Sequence, residues 1–137
     1  MGNTVIINTS QWNGNRGSIH YVIASDGTAL TTTNLLDISA LGAPAPNSIK
    51  IRSIDCLLNG DYRIDFLMDA TTDQTIESFT GQSDVSIQII RDYTDLPSGG
   101  KVGDSSAAGW VGDLLVTTTS MANGDELNLL IVFEKSS

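Results

Sequence analysis

The sequence is poor in the residues from which most catalytic and metal sites are built. It contains one cysteine, Cys56, and one histidine, His20. A single cysteine cannot form an internal disulfide, and one cysteine with one histidine needs two further carboxylate ligands to complete a zinc site. A Ser/His/Asp arrangement needs a base beside its nucleophile, and no G-x-S-x-G motif accompanies His20. We therefore predict no catalytic residue, no metal and no cofactor. We interpret Cys56 as a buried, inert thiol and His20 as an ordinary strand residue.

Basic residues and long hydrophobic runs are also scarce. Seven basic residues against sixteen acidic ones give a formal net charge of -9, and such a field repels phosphate and anionic lipid headgroups. Every apolar stretch is shorter than the ~20 residues that span a bilayer. The segment from Met1 to Gln11 lacks the basic and apolar regions of a signal peptide. We therefore expect no nucleic-acid and no membrane partner, and a soluble product made in a bacterial cytoplasm.

Aromatic residues make up only 6% of the chain. Carbohydrate binding on a β-sheet usually relies on exposed aromatic rings, so this composition gives it little support. Trp12 and Trp110 are the two exceptions, because each lies in a turn-like, glycine-containing sequence. Each tryptophan could anchor a protein interface or cover one end of a hydrophobic core, and the sequence leaves both alternatives open.

Alternation of apolar and polar residues is what the chain has in abundance. It runs from about Ile19 to Glu134, is cut by Asp-Gly, Asn-Gly and glycine-rich turns, and includes no long amphipathic helix. This pattern predicts an all-β fold: an antiparallel two-sheet β-sandwich, jelly-roll-like, with about eight strands in a single domain. We assign the sandwich to residues 18–137 and interpret residues 1–17 as a first strand or as an extended arm that docks on a neighbouring subunit.

Several local features are specific enough to test. A change of apolar phase between Ile51 and Ile54 predicts a β-bulge near Arg52 or Ser53. Asp26-Gly27 and Asn59-Gly60 predict the turns of two hairpins. Residues 30–38 are expected to form a strand rather than a short helical turn capped by Asn34. The prolines of "GAPAPN" and the glycines of residues 97–109 predict two loops, the second long and exposed.

Two acidic segments leave further alternatives. "DATTDQT" and "RDYTD" each place two aspartates close together, as calcium loops do, but neither matches an EF-hand. Aspartate also favours turns through its own backbone hydrogen bonds, and we prefer this explanation. Paired carboxylates could serve glycoside hydrolysis, but a chain this acidic offers such pairs by chance. We therefore predict that the protein is not an enzyme.

Several segments resemble small virion structural proteins of short-tailed bacteriophages of cyanobacteria and other aquatic bacteria. They are "IHYVIASDGTALTTTNLLDISALGAPAPNSIKI", "DFLMDATTDQ", "GGKVGD" with the following "GDLLVTTTS", and "NGDELNLLIVFEK". Together they cover most of the chain from Ile19 onward, and none is a catalytic motif. The resemblance implies a capsid decoration or cement protein of the virion, which binds the outer surface of the head in many copies and bridges major capsid subunits.

If so, the contact surfaces are expected in the N-terminal segment, in the glycine-rich loop and along unpaired strand edges. The interface residues predicted on this basis are Asn3, Thr4, Val5, Ile6, Trp12, Gly99, Gly100, Lys101 and Trp110. The expected partners are the major capsid protein or other virion proteins, together with further copies of the chain. The alternative is a tail-fibre or receptor-binding module that recognises a host surface glycan, for which a β-sandwich is equally suitable.

Overall fold

The described residues form nine β-strands and one 3-10 helix. The computed structural model describes residues 4–13, 15–28, 30–41 and 46–136. The 3-10 helix is Ile38–Ala40, and the strands are β1 (Thr4–Asn13), β2 (Arg16–Asp26), β3 (Thr33–Leu36), β4 (Ser48–Asn59), β5 (Arg63–Met68), β6 (Gln74–Thr80), β7 (Ser86–Asp92), β8 (Leu114–Thr119) and β9 (Asn123–Ser136).

The strands form two antiparallel sheets that pack as a sandwich. One sheet has the order β1-β2-β9-β4-β7 and the other the order β3-β8-β5-β6. Without β1, these are the two four-stranded sheets of a jelly roll, in which every connection except the one from β5 to β6 crosses between the layers. The predicted all-β, two-sheet, jelly-roll-like fold is thus confirmed. The ninth strand is β1, which adds to the outer edge of the jelly roll through its pairing with β2.

The core lies between the sheets and follows the period of two in the sequence. In β2, Ile19, Tyr21 and Ile23 are buried and the residues between them are not. The same alternation buries every second residue of β9, because successive side chains of a strand point to opposite faces. These buried residues are Leu127, Leu129, Ile131 and Phe133. Phe66 and Phe79 of the facing sheet meet edge to face, with ring centroids 5.7 Å apart. Apolar side chains from both sheets thus fill the space between them.

The predicted bulge is confirmed. The pairing of β4 with β9 shifts register between Ile51 and Ser53. One additional residue on β4 turns the strand over, so that Ile49 and Ile51 before the bulge and Ile54 after it are all buried.

Three local predictions need correction. Gly27 and Gly60 have the positive φ angles of 98° and 138° expected at turns, but the strands on either side of each turn do not pair with each other. On either side of Gly27, β2 pairs with β1 and β9, whereas β3 pairs with β8. On either side of Gly60, β4 pairs with β7 and β9, whereas β5 pairs with β6 and β8. Both turns therefore lead from one sheet to the other. The third correction concerns residues 30–38, where the strand covers only Thr33–Leu36 and a 3-10 turn follows it.

The 3-10 turn is capped by Asp37 and not by Asn34. The Asp37 carboxylate accepts a hydrogen bond from the backbone N–H of Ser39 at 3.0 Å, as N-terminal capping residues commonly do. Of the predicted proline loop, residues 42–45 lie outside the described part of the chain. The other predicted loop falls within the long connection between β7 and β8.

Candidate interaction surface

The edge strand β1 has few of the features that usually protect a sheet edge. Its sequence, TVIINTSQWN, has ten residues and contains neither a charged residue nor a proline. Natural edge strands are commonly blunted by charges, prolines or bulges. β1 has one bulge, between Val5 and Ile7, and is regularly paired with β2 from there to Asn13. Its other side has no partner strand among the described residues. The backbone N–H and C=O groups on that side are therefore available to another chain.

Trp12 projects from β1 beyond the rim of the core. Cross-strand pairing places Trp12 beside Gly17, which lies beside Phe133. Directly paired residues share a sheet face, so Trp12 is on the same inward face as the fully buried Phe133. The facing sheet ends at β3, which contacts β2 rather than covering β1. Trp12 therefore remains 44% exposed.

The hairpin that presents Trp12 is held at its base by glycine and lysine. A Cβ atom on Gly17 would lie 2.8 Å from Cε1 of Phe133 and closer still to its Cζ, so only glycine lets this ring pack beneath the hairpin. Lys135 donates its backbone N–H to Asn15 O at 2.6 Å. Its Nζ lies 4.1 Å from the centre of the Trp12 ring, within the range of a cation–π contact. An open hollow of about 330 Å³ lies beside the indole and extends to Arg16 and Ser18.

The glycine-rich loop reaches the same end of the five-stranded sheet. Lys101 and Ile51 exchange two backbone hydrogen bonds of 2.8 Å each, and Gly100 packs against the Lys50 side chain. Ile51 in turn pairs with Phe133. One row of paired residues thus crosses the five-stranded sheet from Trp12 through Gly17, Phe133 and Ile51 to Lys101. At ~4.8 Å per strand, the two ends of this row are roughly 19 Å apart.

Trp110 lies at this end of the sandwich but is built in differently. Its indole Nε1 donates a 2.8 Å hydrogen bond to Asn47 O, just before β4. The half-buried ring packs against the core and has Gly103 and Gly112 close against it. Trp110 therefore covers one end of the core. Trp12 has the greater exposure expected of an interface anchor.

The remaining predicted interface residues lie along β1. Asn3 is outside the described residues, and Thr4, Val5 and Ile6 form the beginning of β1, at the far end of the strand from Trp12. The structure thus brings Trp12, Gly99, Gly100, Lys101 and Trp110 to one end of the sandwich, and it separates the first residues of β1 from them by the length of that strand.

One feature of this end could not be seen in the sequence. Five of the seven basic residues of the chain lie where β1 and β9 end and β2 and β4 begin. We call these residues the basic corner: Arg16, Lys50, Arg52, Lys101 and Lys135. They are distant in sequence and meet only through the strand order. The sequence offers three separate signals for them: a position near a strand end for Arg16, Lys50 and Lys135, a glycine turn before Lys101, and the bulge at Arg52.

Carboxylates also lie within the basic corner, among them Glu134, Asp92 and the exposed Asp95. Glu134 forms ion pairs with Arg52 at 3.0 Å and with Arg16 at 3.4 Å. Asp92 is close enough to Arg52 for their charges to interact, and hydrogen bonds from Thr94 lower the pKa of its carboxyl below the usual value. The adjoining end of the four-stranded sheet has Asp69 and Asp113, so the basic residues form a corner of the molecule and not a whole face. Several exposed apolar residues accompany this end, namely Trp12, Leu96, Val102 and Val111.

The residues considered for chemistry occupy ordinary structural positions. His20 lies on the outward face of β2, with Nε2 3.3 Å from Asn128 Oδ1. Cys56 is buried in the core, where desolvation raises the pKa of its thiol to about 12. The carboxylate oxygens of Asp73 and Asp92 accept backbone N–H groups of their own turns, from Ala70 and Thr94. In the described ranges, no group of three or more His, Cys, Asp or Glu side chains is arranged to hold a metal ion.

Burial raises the pKa of Asp69, with further contributions from the nearby carboxylates of Asp73 and Asp113. Asp113 is itself engaged with the protein, because it accepts hydrogen bonds of 3.0 Å from the Ile38 backbone N–H and from the Asn34 amide. The aspartates here therefore connect the ends of β3 and β5 with the start of β8. As for membranes, none of the helices in the described portion has the length and hydrophobicity needed to cross a bilayer.

Comparison with known proteins gives only distant similarities. No protein-family model matches the chain, and no curated protein matches it. A solved chain from the disulfide-linked pili of Bacillus endospore appendages has a TM-score of 0.40 and 11% identity, over 98% of this chain and 91% of that one. The coat protein of tobacco streak virus has a TM-score of 0.40 and 14% identity, over 93% and 90%. A family 29 carbohydrate-binding module has a TM-score of 0.33 and 10% identity, over 97% and 81%. Similarities this distant do not bear on function.

Proposed function

We propose that the chain is a non-enzymatic structural protein of a phage virion, which binds the outer surface of the head in many copies and stabilises the lattice of the major capsid protein. The observation on which this rests most is β1, a ten-residue, uncharged strand added outside the eight strands of the jelly roll. A neighbouring subunit can extend the sheet by pairing with this strand through main-chain hydrogen bonds.

The energetics of such a contact favour a multi-copy role. About half of the ten residues of β1 direct their backbone groups away from β2. At about 1 kcal/mol net per hydrogen bond, their pairing would contribute several kcal/mol. Association costs on the order of 4–15 kcal/mol in lost rigid-body freedom. A single contact is therefore weak, and a contact repeated on a symmetric capsid lattice gains from the high effective concentration of its neighbours.

The charge and fold of the chain are compatible with this location. The net charge of -9 disfavours binding to packaged nucleic acid and keeps negatively charged particles apart in solution. Jelly rolls occur in viral capsid domains and also in lectins. The fold is therefore compatible with capsid decoration and with glycan binding, and it does not favour one over the other. The resemblance of several segments to virion structural proteins of short-tailed phages adds the specific expectation of the head exterior.

A second candidate is a tail-fibre or receptor-binding module for a host glycan. Two shallow hollows of about 200 and 240 Å³ meet at His20 on the outward face of the five-stranded sheet. Their lining combines amide, carboxylate and aliphatic groups, and includes Gln88, which donates to Asp55 at 2.9 Å, and Leu130. Polar groups of this kind bind sugar hydroxyls. The residues lining the two hollows include no tryptophan, tyrosine or phenylalanine ring on which a sugar could stack.

Immunogold electron microscopy of phage particles distinguishes these functions. Antibody raised against the purified protein is applied to intact particles from the source of the sequence. Label over the head supports the decoration function, and label over the tail or fibres favours the glycan-binding alternative. Unlabelled particles, with the protein confined to the lysate, would contradict a virion role.

A further inference from the structure

The end of the five-stranded sheet opposite the basic corner is acidic. There β2 and β4 end, and β7 and β9 begin. Five carboxylates lie at this end, which we call the acidic end: Asp26, Asp61, Asp84, Asp125 and Glu126. All but Asp125 are exposed. Arg63, two residues from Asp61, is already ion-paired with Asp65 at 2.9 Å.

The backbone fixes the acidic end firmly. Asn59 pairs with Glu126 on one side and with Ser86 on the other, so the last row of the sheet joins three of its strands. Asp125 lies directly against Gly60, where there is no room for a Cβ atom, and its carboxylate accepts the Ala122 N–H at 2.8 Å. The carboxylates are therefore presented on a defined surface and not on a loose tail.

The two charged surfaces are far enough apart to act independently. On β9, Glu126 of the acidic end and Lys135 of the basic corner are nine residues apart, which corresponds to roughly 30 Å at ~3.3 Å per residue. The Debye length at physiological ionic strength is only ~8 Å. A group approaching the basic corner therefore meets the field of that corner, and the acidic end is screened from it.

We infer that the basic corner of one copy docks on the acidic end of a second copy, so that the five-stranded sheets follow one another end to end along the strand direction. The partner is chosen by charge complementarity, since each molecule has both halves of the contact. The exposed apolar residues Trp12 and Leu96 at the basic corner and Val85 at the acidic end add area that charge alone does not provide. Because the two surfaces differ, the contact is heterologous, and repeating it produces a filament or a ring.

This inference goes beyond the proposed function, because it requires no virion and concerns the purified chain. Charge reversal at one end provides the test, by sedimentation velocity at ~0.15 M salt. The basic-corner variant is Lys50→Glu with Lys101→Glu. The acidic-end variant is Asp61→Lys with Glu126→Lys, two exposed residues. Asp55→Lys, in the middle of the outward face of β4, changes the net charge in the same direction as the acidic-end variant and serves as its control.

We expect the wild-type protein and the Asp55→Lys control to associate as concentration rises, and ~1 M salt to reverse this association. Each end variant alone should lose at least about tenfold in association constant, equivalent to about 1.4 kcal/mol. An equimolar mixture of the two end variants should associate again, because one now has two acidic ends and the other two basic ones. The circular dichroism spectrum of each variant verifies its fold.

Three results would overturn the inference. The first is a wild-type protein that stays monomeric up to about 1 mM, since a Kd of that size corresponds to a binding free energy of only ~4 kcal/mol. The second is a pair of end variants that associate as well as the wild type. The third is a mixture of the two folded end variants that remains monomeric. The second result would indicate contact through another surface, such as the edge of β1. If the variants fail to fold, the neutral pairs Lys50→Gln/Lys101→Gln and Asp61→Asn/Glu126→Gln replace them, with a smaller loss expected from each.

Discussion

Replacing Gly17 with alanine should destabilise the protein, although alanine is usually better tolerated than glycine in a strand. The φ angle of Gly17 is not positive, so the backbone itself accepts a side chain. A Cβ atom would nevertheless lie 2.5 Å from the Gln11 carbonyl oxygen and 2.8 Å from Cε1 of Phe133. Overpacking of this kind typically costs ~1–3 kcal/mol. Alanine also lowers the conformational entropy of the unfolded chain, which stabilises the folded state by ~0.4–1 kcal/mol. The net loss in the free energy of unfolding is therefore about 1–2 kcal/mol.

Thermal and urea unfolding, followed by circular dichroism, measure this loss. For a chain of 137 residues, it corresponds to a decrease in Tm of roughly 3–7 °C. Ser18→Ala is the matched control on the neighbouring residue and should change stability by less than about 0.5 kcal/mol. In a double-mutant cycle, Phe133→Leu should relieve part of the penalty by removing the outer ring atoms. A Gly17→Ala protein as stable as the wild type would refute the packing described for the base of the Trp12 hairpin.

Three further predictions follow from individual residues. Burial raises the pKa of the Cys56 thiol to about 12. This thiol should therefore not react with a thiol reagent at neutral pH until the protein unfolds. A rapid reaction with the folded protein would show that the core is open there. Tyr62→Phe should cost about 1 kcal/mol in urea unfolding, because it removes the 2.6 Å hydrogen bond to Glu126 O; an unchanged midpoint would show that this bond contributes nothing. Hydrogen bonds from Thr94 lower the pKa of Asp92, so its contribution to stability is present above its unfolded pKa of about 4 and is lost as pH falls through the folded value. The Asp92→Asn variant should therefore have a lower free energy of unfolding than the wild type at pH 7 and an equal one in acid. A stability difference that does not change with pH would contradict this.

The sequence predicts the faces of the strands better than their partners. A period of two follows directly from strand geometry, so Ile19, Tyr21 and Ile23 could be assigned to the core and the bulge after Ile51 could be located. The glycines of Asp26-Gly27 and Asn59-Gly60 correctly predict turns. They do not predict hairpins, because a turn fixes only the local backbone, and in a jelly roll the next strand crosses to the other sheet.

The candidate surface was accessible to sequence analysis only in part. Trp12 and the loop at Gly99 to Lys101 stand out by residue type, but their position in one row depends on the pairing of Gly17 with Phe133 and of Phe133 with Ile51. The basic corner was missed for the same reason. Its members are scattered along the chain from Arg16 to Lys135, and long-range strand order alone brings them together. The sequence of residues 4–13 alternates weakly, so it left open a first strand or an extended arm, and the structure has the strand β1 there.

Site-specific photo-crosslinking in assembled particles tests the central claim most directly, namely that the edge of β1 is the docking surface for a neighbouring virion protein. A photoreactive amino acid is introduced at Gln11, exposed on β1, or at Gln88, exposed on the opposite edge strand β7. Illumination of purified phage and mass spectrometry of the products identify each partner. We expect efficient crosslinking of position 11 to the major capsid protein and much less from position 88. Particles that incorporate the position 11 variant without crosslinking it to any virion protein would contradict the claim.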